Sequence, residues 1–300
     1  MRREGVWEEP VIPEPARRED IMLVHTEGYI NRLSTSGEGY IDPDTFLRRD
    51  TYGISLLSAG GAIEAVRKAA EHGQPTFAMV RPPGHHAGAD YGGGFCYFNN
   101  VAIAARHLGR KRTMIVDLDV HHGNGTEEIF YPDDSVLYLS THQEGIYPGT
   151  GMVTDVGTGS GKGFTINIPF RSGTGDGSFS SALNQVVLPV LEQFDPEIVL
   201  VSLGVDAHYK DPLASLNLSS GGYIELMAAL IDAAPGGRIA FVLEGGYHIG
   251  ATAEVLTGLV ALIQGKQIEL EYAGPTDERV SGGDRIDEVV RVQNEFWNLG

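Results

Sequence analysis

The stretch T-M-I-V-D-L-D-V-H-H-G-N-G, from Thr113 to Gly125, constrains the fold more than any other part of the chain. Its first residues are apolar or β-branched with no polar alternation, the pattern of a strand buried on both faces of a parallel sheet. Asp117, Asp119 and His121 follow at a spacing of two. If strand geometry continues past the end, the three side chains project to one side, where one cation can collect them. Gly123 and Gly125 let the backbone turn away into a helix beginning near Thr126. An Asp-x-Asp-x-His at the carboxyl end of a strand lies where open α/β sheets place their chemistry. Taken alone, the same residues also read as a polar strand end feeding a loop.

Around this stretch the periodicity alternates. Strands are expected at Thr76–Val80, Val136–Ser140, Thr165–Ile168, Ile198–Ser202 and Arg238–Leu243. Helices are expected at Ser55–Ala70 (weakened by Gly60 and Gly61), Asn100–Leu108, Ser181–Phe194, Tyr223–Ala233 and Ala251–Gln264, with a last short one at Val289–Trp297. Residues 1–20, bearing Pro10, Pro13 and Pro15, read as a surface arm, and 273–283 as a polar, glycine-bearing tail. Strands alternating with helices predict an α/β fold with a mostly parallel sheet in three layers. No repeat, low-complexity run or linker divides the chain, so 1–300 reads as a single domain with its motif-bearing core at about 20–265.

Composition narrows the partners. Lys+Arg 22 against Asp+Glu 40 gives a net charge of −18, which disfavours nucleic acid and anionic membranes. A single cysteine, Cys96, excludes an intramolecular disulfide and suggests a reducing, cytoplasmic setting. No apolar run reaches membrane-spanning length, and the charged start M-R-R-E-G lacks the apolar stretch of a signal peptide. The sequence leaves oligomeric state open.

The loops after the expected strands repeat one message. His85-His86 follows the first strand, T-H-Q-E-G-I-Y-P-G-T-G the third, L-G-V-D-A-H-Y-K-D-P-L the fifth and E-G-G-Y-H the sixth. Each has a plain alternative: a paired loop histidine, an aspartate capping the next helix, a turn with an anchoring tyrosine. Parallel strands bring all these ends to one sheet edge, and their joint occurrence is hard to explain as independent accidents.

These pieces resemble the zinc-dependent histone deacetylase superfamily, which includes bacterial and archaeal deacetylase-like proteins and acetylpolyamine amidohydrolases. The matching segments are R-P-P-G-H-H-A (81–87), G-G-G-F-C-Y-F-N-N (92–100), D-L-D-V-H-H-G-N-G (117–125), Y-P-G-T-G (147–151), G-V-D-A-H-Y-K-D-P-L (204–213) and E-G-G-Y (244–247). The resemblance implies the arginase/deacetylase fold and hydrolysis of acetyl or related acyl groups from lysine ε-amines of a protein or peptide, or from a small acylated amine. It implies metal ligands at Asp119, His121 and Asp206; two carboxylates and an imidazole suit Zn²⁺, with Fe²⁺ or Co²⁺ also served. A bound cation of this kind brings the pKa of water toward ~7.

By the same resemblance His85 and His86 handle protons, Asp117 stands behind His85 and Asn124 behind His86. A carboxylate favours a charged imidazole and an amide adds no charge, so the two histidines should differ in pKa. Tyr247 donates to the substrate carbonyl, Phe95 and Tyr147 wall a narrow tunnel, and the Gly94 carbonyl accepts the substrate amide N–H. Backbone groups of Asp117, Asp119, His121 and Thr141, with the Ser140 hydroxyl, match a structural K⁺ site. Leu213 stands where polyamine-specific relatives carry a glutamate that pairs with a second cationic nitrogen.

His25, His72 and His107 are expected at the surface or in packing, and His122, His142, His208 and His248 as supports around the site. Cys96 has no expected base partner and reads as structural. Relatives usually open with a strand and an H-P-x-x-P-x-R-type segment that the residues before Trp7 do not match; the expectation is an altered rim and one edge strand fewer. The rivals are an acetylpolyamine amidohydrolase, an arginase-type ureohydrolase (which needs further bridging carboxylates not found in these loops) and a catalytically lapsed acyl-lysine-binding module.

Overall fold

The computed structural model describes residues 1–300 except positions 3, 8, 110, 275 and 277. Six strands form one all-parallel sheet: β3 (Thr76–Ala78), β4 (Thr113–Asp117), β5 (Val136–Gln143), β6 (Thr165–Phe170), β7 (Ile198–Leu203) and β8 (Ile239–Leu243). A two-residue-per-strand hairpin, β1 (Gly39–Tyr40) with β2 (Phe46–Leu47), lies apart from it. The sheet order is β3-β8-β7-β4-β5-β6. The chain therefore leaves β4 toward β5 and β6, then returns to the other side of β4 for β7 and β8. That reversal makes the carboxyl ends of β4 and β7 a topological switch point, where an α/β sheet opens a crevice.

Two apolar layers sandwich the sheet. Met114, Val116, Leu139, Ile168, Val201 and Phe241 face α6 (Asp176–Ala182), α7 (Leu188–Phe194), α8 (Ser220–Ala233), α9 (Ile249–Ile263) and α10 (Gly283–Gln293). Ile115, Tyr138, Leu200, Ala240 and Val242 face the opposite layer of α3 (Thr51–His72), α4 (Asn100–His107) and α5 (Asn124–Phe130). Neighbouring residues of one strand serve opposite cores, which is why these strands read as unbroken apolar runs. Two short helices, α1 (Arg18–Ile21) and α2 (Glu27–Thr35), precede the hairpin. No helix among the described residues is long and apolar enough to cross a membrane.

Every expected strand is present, and the differences concern ends and packing. The helix expected from Ser181 begins at Asp176 and runs into α7 through a π-helical turn at Leu183–Val187. The last helix is Gly283–Gln293 rather than Val289–Trp297; buried Ile286 and Val289 dock it, while the Trp297 indole N–H donates to the Gly163 carbonyl at 2.8 Å beyond its end. The segment 1–20 is not a free arm, since Val6 and Ala16 are buried and the Ala16 N–H donates to the Leu56 carbonyl at 2.8 Å. Gly60 and Gly61 explain that docking. A Cβ on Gly60 would overlap the Glu14 carbonyl, and one on Gly61 would crowd Val80, so the glycines permit close backbone approach rather than merely weakening α3. Among the described residues of 1–17 there is no strand.

Gly60→Ala improves helix propensity yet forces the arm outward. It is expected to destabilise the protein by about 1–3 kcal/mol, read as a lower denaturant midpoint at unchanged m-value. A midpoint equal to or above wild type would contradict the close packing of the arm.

Candidate metal and catalytic site

β4 and β7 pair in register through Asp117 and Ser202, so the residues just beyond them, Asp119 and Asp206, meet across the crevice. Asp119 and Asp206 are each 1% exposed and His121 is half-buried, and one donor atom from each of the three lies within 4.8 Å of the others. His121 Nδ1 stands 3.1 Å from both Asp119 Oδ1 and Asp206 Oδ2. Backbone donors aim the carboxylates: Val120 N–H to Asp206 Oδ1 at 2.9 Å, His121 N–H to Asp119 Oδ1 at 2.9 Å and Gly245 N–H to Asp119 Oδ2 at 2.8 Å. Gly204 and Gly245 have no room for a Cβ, which would overlap these same carboxylates.

Burial and the neighbouring Asp119 push Asp206 up to about 6. Burial also works against Asp119, but His85 and His121 more than offset it and hold that carboxyl below its usual range. Burial disfavours charge on His121, and the two carboxylates nonetheless raise it to about 10. Two carboxylate oxygens and one imidazole nitrogen converging on one point are a donor set that fits a small divalent cation once the imidazole gives up its proton.

Asp117 does not join this cluster. The strand ends at Asp117, where its Oδ1 accepts the Asp119 N–H at 3.2 Å and turns the chain. Its Oδ2 instead stands 3.1 Å from His85 Nδ1 and accepts the Tyr138 hydroxyl at 3.0 Å. The three-way convergence expected from strand spacing is thus replaced by Asp119 and His121 on a turn plus Asp206 from the loop after β7. The helix beyond starts at Asn124, two residues early, which brings the Asn124 side chain to His86.

The two imidazoles lie with centroids 4.0 Å apart. Burial disfavours charge on His85, but Asp119, Asp117 and Glu244 raise its pKa well above the ordinary value. Burial lowers His86 well below that value, and the charge on His85 adds to the effect. His86 Nδ1 is 2.8 Å from Asn124 Oδ1; Asn124 Nδ2 donates to the Tyr91 hydroxyl at 3.1 Å, which donates to Glu128 at 2.7 Å. The acceptor at the end of this chain of donors puts the proton of neutral His86 on Nδ1 and leaves Nε2 open.

Phe95 and Tyr147 are 37% and 44% exposed, so solvent reaches both rings, and Leu213, 48% exposed, lies on the loop beyond β7. The Tyr147 ring lies 4.9 Å from His86 and the Phe95 ring 5.9 Å from Tyr247, on either side of the entrance. Phe95 has φ +67°, a left-handed conformation unfavourable for a bulky side chain. The hairpin loop holds it there: Phe95 N–H donates to Thr45 Oγ1 at 2.9 Å and Gly94 N–H to Asp42 Oδ2 at 3.1 Å. A Cβ on Gly94 would crowd His86 and Tyr147. Tyr247 borders the cluster, and burial raises its pKa, keeping the phenol protonated.

Ser140 and Thr141 are buried beside the end of β4, with Ser140 Oγ 2.9 Å from His142 Nδ1 and Thr141 Oγ1 donating to the Asp117 carbonyl at 3.4 Å. His122 bridges Thr150 and Glu127, and His208 meets the Ser220 hydroxyl at 3.2 Å. His248 caps α9 through the Ala251 N–H. His25 is more than packing. It is buried between the Gly88 carbonyl and the Asn99 N–H, each 2.9 Å away, and stitches the loop that carries His85 and His86. The buried Cys96 thiol is pushed well up by burial, foremost, and by Glu244.

Sequence reasoning missed four residues. Glu244 is fully buried and accepts the N–H groups of Gly84, at 2.6 Å, and His85, at 3.2 Å. Burial pushes its carboxyl up to about 7. Asp42 and Thr45 clamp the Gly94–Phe95 turn, and the turn sequence D-P-D-T at 42–45 is their one local signal. Tyr91 orders Asn124 and left no trace in its local pattern.

These observations define an α/β protein with a converging Asp-His-Asp cluster and an imidazole pair at the sheet's switch point. The histone deacetylase domain profile matches residues 1–263. A probable deacetylase of Archaeoglobus fulgidus is 40% identical over 99% of this chain and 90% of its own length. A histone deacetylase-like amidohydrolase of Pseudomonas aeruginosa is 41% identical over 78% of this chain and 64% of its own. The crystal structure of the HDA15 HD domain superposes with a TM-score of 0.89 at 34% identity, covering 96% of this chain and 83% of that one. The chain belongs to the histone deacetylase family, and its relatives support deacetylase-type hydrolysis.

Asn124→Asp replaces an amide with a carboxylate 2.8 Å from His86 Nδ1. The charged imidazole gains, so the His86 pKa should rise by about 1–3 units, followed by NMR titration of the imidazole. An unchanged titration would contradict the pairing.

Proposed function

We propose that this protein is a metal-dependent amidohydrolase that removes acetyl or related acyl groups from lysine ε-amines. The observation that carries the reading is a buried Asp-His-Asp trio flanked by two imidazoles that their partners drive toward opposite protonation states. Asp119, His121 and Asp206 would hold the cation, with Zn²⁺ the assignment and Fe²⁺ or Co²⁺ compatible with the same donors. When bound, it supplies Lewis-acid polarisation of the amide carbonyl and lowers the pKa of water toward ~7.

His86, neutral with its proton directed at Asn124, offers Nε2 to take a proton from the attacking water and return it to the leaving amine. His85, kept charged between Asp117 and Asp119, stabilises the anionic centre beside it. The Tyr247 hydroxyl donates to the developing oxyanion. Phe95 and Tyr147 flank the methylene stem, and the Gly94 carbonyl takes the substrate N–H. A structural K⁺ on the oxygens of Asp117, Asp119, His121, Ser140 and Thr141 belongs to the same proposal, as does a cytoplasmic location.

One observation favours a second reading, acetylpolyamine hydrolysis. Asp42 lies half-buried with its Oδ2 3.1 Å from the Gly94 N–H, a carboxylate that a second substrate ammonium would meet if the chain of the substrate leaves past that turn. Leu213 argues the other way, because an ammonium beside it finds no partner while an aliphatic stem packs.

Zn²⁺-reconstituted protein assayed on matched acyl-lysine peptides and acetylpolyamines decides between them. The peptides are expected to give the higher kcat/KM, and Leu213→Glu should move the ratio toward polyamines by about 1 kcal/mol, roughly fivefold. Faster wild-type turnover of acetylspermidine or acetylputrescine than of every peptide would replace the lysine reading with the polyamine one.

A further inference from the structure

Asp211 lies on the loop beyond Asp206 and is 7% exposed. Its carboxylate is met by backbone donors from two separate segments. Oδ1 accepts the Leu213 N–H at 3.0 Å, an ordinary local turn. Oδ2 is spent elsewhere: it accepts the Tyr247 N–H at 2.7 Å and the His248 N–H at 3.1 Å. A turn-capping aspartate needs only the first of these bonds. The other two tie the loop carrying a metal-cluster residue to the loop carrying the phenol.

The route of the second loop shows why the tie matters. Gly245 passes so close to Asp119 and Asp206 that no side chain fits, and its N–H is fixed on Asp119. Gly246 follows at φ +131°, a conformation open to glycine and to few other residues. Downstream, His248 caps α9. Between the flexible Gly246 and the helix start, the backbone of Tyr247 is pinned by the carboxylate of Asp211. A buried carboxylate binding backbone N–H groups makes charge-assisted bonds, the strong kind.

We infer that Asp211 is the positioning residue for Tyr247: it fixes the backbone from which the phenol reaches the substrate carbonyl and couples that donor to the Asp206 loop. The inference rests on the proposed amide hydrolysis, and neither Asp211 nor its carboxylate touches the reacting atoms.

The test is a double-mutant cycle on the Zn²⁺-loaded enzyme with Asp211→Ala, Tyr247→Phe and the pair, alongside metal content and amide hydrogen exchange of the 244–250 segment. Tyr247→Phe is expected to lower kcat by about 10²–10³. Asp211→Ala should lower kcat by roughly 10–10² with KM and metal content little changed, and should speed exchange at Tyr247 and His248. The double variant should be no slower than Tyr247→Phe alone, because both substitutions act through one hydroxyl. Multiplied losses, a wild-type kcat in Asp211→Ala, or a loss accounted for by missing metal would overturn the inference. If Asp211→Ala fails to fold, Asp211→Asn keeps the volume and one acceptor oxygen; it should show the same non-additivity at a smaller loss, and wild-type kcat with wild-type exchange would be fatal. A wild-type enzyme inactive on every acyl amide sinks the deacetylase reading, whereas an active one indifferent to Asp211 sinks this inference alone.

Discussion

Two carboxylates, Asp119 and Asp206, face each other inside the protein with one imidazole between them, and the rest of the structure is arranged to hold them there. Burying a carboxylate carries an effective penalty of several kcal/mol, and a second one nearby adds repulsion. The upward shift of Asp206 to about 6 is that cost made visible. The fold meets part of it with backbone N–H groups from Val120, His121 and Gly245. His121 holds a proton between them, 3.1 Å from each carboxylate, and a divalent cation bound by the three residues would take the place of that proton.

The sheet supplies the geometry. Because β7 returns to the far side of β4, the two strand ends lie adjacent and in register although their residues are far apart in sequence. Close approach at that point leaves no space for side chains at Gly204 and Gly245. Around the cluster each of the two histidines is held by a neighbouring side chain. Glu244 gathers the N–H groups of Gly84 and His85, Asp117 orients His85, and the Asn124–Tyr91–Glu128 chain sets the tautomer of His86. At the entrance, the hairpin loop holds Phe95 in a conformation it would not adopt alone.

The parallel sheet was legible because its strands are buried on both faces and read as unbroken apolar runs. The meeting of Asp119, His121 and Asp206 beside His85 and His86 was legible because strand ends converge whatever the intervening lengths. Helix starts were read less well: Asp176, Ser220 and Asn124 begin helices in polar or glycine-bearing segments where periodicity is weak. The docked arm escaped because glycine in a helix signals instability locally and close packing only in three dimensions. Asp42, Thr45, Tyr91 and Asp211 escaped for a related reason. Each acts through a hydrogen bond to a residue far along the chain, and spacing within one segment cannot reveal it.

Asp119, His121 and Asp206 are proposed to form one high-affinity site for a divalent cation. Metal-to-protein stoichiometry after Zn²⁺ loading and dialysis, measured on wild type and on Asp206→Ala of equal fold by circular dichroism, tests it most directly. One equivalent is expected to remain on wild type and a small fraction of that on the variant. Equal retention by the two proteins, or none by wild type, would contradict it.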